Sequence, residues 1–197
     1  TRSAFVTGVQ TCALPILLNL PIPLLPLQIL WVNLVTDGLP GLALAAEPEE
    51  RHVMTRPPRP PNESVFAHGL GAHTIWVGIL MAALVLAVQA IAIRAGSSHW
   101  QTMVLSVMAF SQLAHALAIR SERESLFTQG LFSNKLLAAA IALTIVLQLA
   151  VIYLPVANTL FNTQPLAPIE LGVTVAVASL VFFAVECEKL LKRVRER

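Results

Sequence analysis

Five stretches of the chain stay apolar for long enough to cross a bilayer, and polar or proline-rich connections separate them. A bilayer core takes about 20 mostly apolar residues per helix. The first stretch runs from about Leu24 to Ala46, with Asp37 as its only charge before the polar connection. The second runs from Gly69 to Ile93 and holds no Asp, Glu, Lys or Arg. The third runs from Thr102 to Ile119, with His115 as its only ionisable group, and the fourth, Leu136 to Val156, is uncharged. The fifth runs from Pro168 to Val185 and carries Glu170 near its start, at the interface. This pattern predicts an all-α fold, an integral membrane helical bundle of about five transmembrane helices.

The connections give the orientation. The segment from Glu47 to His68 centres on Arg56-Pro57-Pro58-Arg59-Pro60-Pro61, which disfavours helix and suits extended polyproline geometry. It reads either as a stiff linker or as a docking surface for a soluble domain. Arg51, Arg56 and Arg59 follow helix one, and Arg120, Arg123 and Lys135 follow helix three. The helical tail from Glu186 to Arg197 adds Lys189, Lys192, Arg193, Arg195 and Arg197, whereas the other two connections share only Arg94. Positive charge stays on the cytoplasmic side. Helix one is therefore expected to start outside and the C-terminus to lie in the cytoplasm. An outside start, with Thr1 in place of Met and no signal peptide, leads us to expect that the protein continues upstream.

Composition agrees with a membrane setting. Apolar residues make up 56% and charged residues 12% of the chain, where soluble domains carry about 25% charged residues. A net charge of +2 without a basic, aromatic-interleaved stripe gives no reason to expect a nucleic-acid partner. Cys12 and Cys187 lie at opposite ends and form no ligand spacing; Cys187 is expected to be a free thiol. No phosphate-binding glycine loop and no nucleophile–base arrangement is recognisable, which places any catalytic chemistry elsewhere. The bilayer is the partner this composition requires.

Helix one holds the sharpest chemical signal. Asn33, Thr36 and Asp37 stand at i, i+3 and i+4 and share one helical face. A carboxylate at membrane depth is costly and marks a functional site by default. Pro40, followed by Gly41, cannot donate an N–H to the Thr36 carbonyl, which predicts a broken helix lining a cavity. Amide, hydroxyl, carboxylate and carbonyl oxygens together suit a hard cation such as Ca²⁺. The other reading is that Asp37 and Asn33 bond within a helix interface. On helix three, Ser111, Gln112 and His115 share a face and read as interhelical hydrogen-bonding groups. Trp31, Trp76 and Trp100 read as packing or belt residues.

The run Leu24-Leu-Pro-Leu-Gln-Ile-Leu-Trp-Val-Asn-Leu-Val-Thr-Asp-Gly-Leu-Pro40 resembles the sixth membrane helix of calcium-transporting P-type ATPases. Glu47-Pro48 and Met54-Thr-Arg-Pro-Pro-Arg59 resemble the cytoplasmic loop that follows it, and the run from Phe110 to Phe127 looks like the eighth helix and its exit. The likeness covers about Leu17 to the C-terminus. It implies a cation-transporting ATPase C-terminal membrane domain over residues 17–197, equivalent to helices six to ten of a ten-helix pump. It also implies that Asn33 and Asp37 are cation ligands and that Thr36 is a weaker one. Gln112 is implied only as a weak ligand: it falls where two-site pumps place a glutamate, so the resemblance is closer to pumps that move one Ca²⁺ per cycle and to their bacterial relatives. That implies a multi-pass protein of a bacterial inner membrane, with Mn²⁺ as a possible second cargo. The family's Asp-Lys-Thr-Gly motif is absent here, so ATP and Mg²⁺ would act only in missing cytoplasmic domains. The fragment alone should not hydrolyse ATP. Its partner would be the missing N-terminal part, helices one to five and the cytoplasmic domains. Residues 1–16 do not resemble the fifth helix; they resemble translated sequencing adapter and are expected to be non-native. A secondary transporter, a channel bundle or a non-catalytic membrane scaffold could use the same polar face without ATP, but none of these accounts for the Met54–Pro61 loop.

Overall fold

The computed structural model describes residues 21–46, 70–120 and 134–195, and every regular element among them is helical. The first rod is continuous and has three parts. These are α1 (Pro26–Trp31), a π-helical segment (Val32–Asp37) and α2 (Gly38–Ala45). It is followed by α3 (Leu70–Arg94), α4 (Trp100–Ala118), α5 (Lys135–Tyr153), α6 (Pro155–Phe161) and α7 (Pro168–Arg195). The proline-rich connection, most of the segment after α4 and residues 1–16 lie outside the described residues.

Four of the rods are long and apolar enough to cross a membrane: Pro26–Ala45, Gly71–Arg94, Lys135–Tyr153 and Pro168–Val194. The fifth, α4, has 19 residues and so reaches about 28 Å, close to the thickness of the hydrocarbon core. It is less apolar because it is enclosed by protein rather than lipid. Twelve of its residues are buried, among them Thr102, Ser106 and Ser111, and it packs against α7, α3, the π segment, α5 and α2. Its small residues, Ser106, Ala109, Ser111, Ala116 and Ala118, let neighbouring helices approach closely. Side chains such as Leu34, Leu42, Ile75, Ile79 and Val146 point outward and are exposed. Outward apolar residues around buried polar ones are the arrangement that lipid requires.

Local chemistry sets the ends. Gly96, at φ 68°, ends α3 in a left-handed turn: its N–H bonds the Ile93 carbonyl and that of Ser97 bonds Ala92, both at 3.0 Å. The fourth stretch, expected to run unbroken to Val156, instead stops at Tyr153. Pro155 has no N–H for the helix ladder and forces Leu154 into extended backbone (ψ 125°), so the short α6 starts afresh. Asn134 caps α5 by accepting the Leu137 N–H at 2.9 Å. Glu170 reaches back to the Ala167 N–H at 2.8 Å and pairs with His99 at 3.0 Å, tying the α3–α4 turn to the start of α7. With 28 residues, α7 is about 42 Å long and outruns the bilayer core, so its basic end projects beyond it.

Candidate functional site

The Asn33, Thr36 and Asp37 face falls within the π-helical segment. The expected break at Pro40 is not there. Pro40 lies inside α2, and the missing N–H is absorbed by widening the turns upstream rather than by interrupting the rod. A π segment inside an α-helix is uncommon and concentrates at functional sites. The Gly38 position is open enough that an added Cβ would meet only the Asn33 carbonyl, at 3.8 Å.

Asn33 donates its Nδ2–H to the Ile29 carbonyl at 3.0 Å, while its Oδ1 is buried without a hydrogen-bond partner among the described residues. An orphaned buried acceptor costs about 1–3 kcal/mol. Thr36 is 1% exposed, and its Oγ1 lies 2.6 Å from both the Val32 carbonyl and Gln112 Oε1. A hydroxyl has one proton, so it cannot donate to both. One contact leaves two lone pairs facing each other unless the Gln112 amide turns its NH₂ toward Thr36. Asp37 is half-buried at the end of the same segment.

The structure thus brings Thr36 and Gln112 together across the α4 interface, as the hydrogen-bonding reading of Gln112 expects. Asn33 and Asp37 share the π segment with Thr36. Ser111, next to Gln112, has a buried hydroxyl without a partner among the described residues. His115 belongs to a separate cluster with His73 and Glu188. The ligating atoms that Asn33, Thr36 and Asp37 offer are oxygens, the type that suits a hard cation. Among the described residues no group of three or more His, Cys, Asp or Glu is placed to hold a metal. The π segment carries one carboxylate, Asp37, beside the neutral oxygens of Asn33 and Thr36.

Several buried polar residues escaped the sequence reading. Gln28 is fully buried; it accepts the Leu25 N–H at 3.0 Å and donates to the Phe161 carbonyl at 2.8 Å. Gln148 is fully buried, accepts the Trp31 Nε1–H at 2.9 Å and leaves its own Nε2 without a partner among the described residues. Gln89 donates to the Pro21 carbonyl at 2.7 Å, and its Oε1 has no partner among the described residues. Their signal was present: each is an isolated amide in an otherwise apolar stretch. Trp31 is therefore more than packing, since its indole N–H holds Gln148 while its ring meets Phe161 edge-on at 5.1 Å.

Known proteins are similar to this chain in sequence. The family described as "Cation transporting ATPase, C-terminus" matches residues 21–191. The calcium-transporting ATPase of Bacillus subtilis (strain 168) is 39% identical over 170 residues, covering 85% of this chain and 19% of its own length. Calcium-transporting ATPase 1 of Yarrowia lipolytica is 32% identical over 195 residues, 98% of this chain and 21% of that protein. A probable cation-transporting ATPase F of Mycobacterium bovis is 34% identical over 185 residues, 91% and 20% respectively. The chain spans about a fifth of the length of these relatives. With most of its length inside the family match and its apolar helices in the pattern described above, the chain belongs to the cation transporting ATPase C-terminal family.

Proposed function

We propose that this chain is the membrane transport part of an ATP-driven P-type Ca²⁺ pump, and that Asn33, Asp37 and, more weakly, Thr36 lend oxygens to the transported ion. The observation that carries the reading is the orphaned, buried Asn33 Oδ1 inside a π-helical segment that also holds the half-buried Asp37. A cation would satisfy that acceptor and relieve the two oxygens that compete for the Thr36 proton. Gln112 positions Thr36; being an amide, it adds no negative charge. The remaining ligands come from other helices of the pump. The relatives are named for calcium or cation transport, and an all-oxygen site accepts Mn²⁺ as well as Ca²⁺. ATP and Mg²⁺ act in the cytoplasmic domains of the complete pump, and residues 17–197 form its C-terminal membrane domain. The distribution of Lys and Arg supports a cytoplasmic C-terminus, and the bacterial relatives support a bacterial inner membrane as the location.

The test is made on the complete pump. Asp37→Asn removes the one carboxylate of the set and should abolish Ca²⁺-dependent phosphorylation from ATP. Phosphorylation with unchanged Ca²⁺ dependence in that variant would sink the assignment.

A further inference from the structure

We propose that His73, His115 and Glu188 form a proton-binding site that pins together the ends of α3, α4 and α7. The three residues come from three helices and form one connected chain. Lys192 Nζ lies 2.6 Å from Glu188 Oε1. Glu188 Oε2 lies 2.6 Å from His73 Nδ1 and also accepts the Trp76 Nε1–H at 2.9 Å. On the far side of the His73 ring, Nε2 meets His115 Nε2 at 3.4 Å. The two rings are nearly parallel, at 19°, with centroids 5.6 Å apart, so the two nitrogens face each other between the rings.

The protonation states follow from this geometry. An ionised Glu188 is an acceptor only, so it keeps a proton on His73 Nδ1. A neutral His73 then presents a lone pair at Nε2, and His115 donates its Nε2–H into it. One further proton is tolerated. It sits either on His115 Nδ1, leaving the shared N–H in place, or on His73 Nε2, which then donates to His115 while the His115 proton occupies Nδ1. Either way one N–H lies between the rings. A second added proton puts N–H groups on both facing nitrogens, removes the acceptor and leaves two cations in contact. The site therefore binds one proton and is split by the next.

The surrounding charges agree. From α7 the pair faces Glu188, already shared with Lys192, and Lys189, which is held by Glu186 at 3.0 Å and by the Ala118 carbonyl of α4. One carboxylate shared with a lysine does not balance two imidazolium ions. A metal is a poorer fit, because Glu188 Oε2 already bonds His73 Nδ1 and the Trp76 Nε1–H, and among the described residues no group of three or more His, Cys, Asp or Glu is placed to hold one. This proposal does not depend on the cation site or on the orientation of the chain, since it concerns a separate set of contacts.

Trp76 reports on the site. Its indole bonds Glu188 and stands edge-on to the His73 ring at 5.9 Å, and a protonated imidazole in contact with an indole quenches its emission. The full chain in detergent micelles is titrated from about pH 8 to about pH 3, a span wide enough to bracket imidazole protonation. The signal of the Trp76→Phe chain is subtracted to remove Trp31 and Trp100. Far-UV circular dichroism confirms that helix is retained at each pH. The wild-type chain should show two steps, since a coupled pair releases its protons in two. His115→Leu should show one, and His73→Leu should lose at least about two-thirds of the amplitude. His73→Gln, which can still donate to Glu188, must lose the same amplitude, so a packing defect in the leucine variant cannot imitate the result. A single step in the wild type, equal titrations for wild type and His115→Leu, or quenching that survives in both His73 variants would overturn the proposal.

Discussion

Substituting Thr36 by Val tests the contact that joins the π segment to α4. The two side chains have nearly the same shape, so no cavity opens at a site that is 1% exposed. What changes is the hydroxyl, which sits 2.6 Å from Gln112 and from the Val32 carbonyl. The Val32 contact is local to one helix turn and contributes little. The Gln112 contact crosses between helices, and its loss leaves a half-buried amide facing a methyl group. Interhelical hydrogen bonds within bilayers average about 0.6 kcal/mol and reach about 1.7. Orphaning a buried polar group costs about 1–3 kcal/mol in full. For a group that keeps part of its surroundings we expect about 1 kcal/mol. The assay is equilibrium unfolding of the bundle in mixed micelles with increasing dodecyl sulfate. Four proteins are compared: wild type, Thr36→Val, Gln112→Leu and the double variant. The interaction energy from this cycle should be about 0.6–1 kcal/mol, above the scatter expected of independent sites. Simple additivity, with a coupling below about 0.3 kcal/mol, would show that the Thr36–Gln112 contact does not hold α4 to the first rod, and the reasoning would fail.

Two further outcomes follow from the same structure. Asn134→Ala removes both the cap of α5 and the 3.4 Å contact of its Nδ2 with the Ala43 carbonyl; it should destabilise the bundle by about 0.5–2 kcal/mol in the same unfolding assay. Trp31→Phe keeps the ring against Phe161 but leaves buried Gln148 with neither amide atom paired. It should cost about 1–3 kcal/mol, and adding Gln148→Leu should recover most of the loss.

The helices were legible in the sequence because a bilayer demands long apolar runs and punishes charge within them. The run from Gly69 to Ile93 emerged as Leu70–Arg94, within a residue at either end. Asn33, Thr36 and Asp37 were legible as a group because they are near neighbours along one rod. The π segment was not. Pro40 removes one hydrogen bond, and either a break or a widened turn accommodates that loss, so the sequence alone does not choose between them; in the structure the π segment buries Val32 and Thr36 and packs against α4. The stop at Tyr153 could have been read from Pro155, but apolar residues continue past it and hid the boundary. The network of His73, His115 and Glu188 was out of reach. Its members lie 42 and 115 positions from His73 along the chain, and only the packing of three helices brings them together. Gln28, Gln89 and Gln148 were visible as isolated amides, but their bonds to Phe161, Pro21 and Trp31 depend on helix pairing.

The central claim is that the face of the π segment holds a transported cation. The most direct measurement is equilibrium binding of radioactive Ca²⁺ to the complete purified pump, comparing wild type with Asn33→Leu. Leu34→Ala, next in sequence but 66% exposed on the outward face, serves as the control. The account predicts that Asn33→Leu weakens Ca²⁺ binding by about tenfold or more, equivalent to about 1.4 kcal/mol, while Leu34→Ala binds as the wild type does. Equal Ca²⁺ affinity in wild type and Asn33→Leu would contradict it, and the orphaned oxygen would then belong to the helix interface and not to an ion.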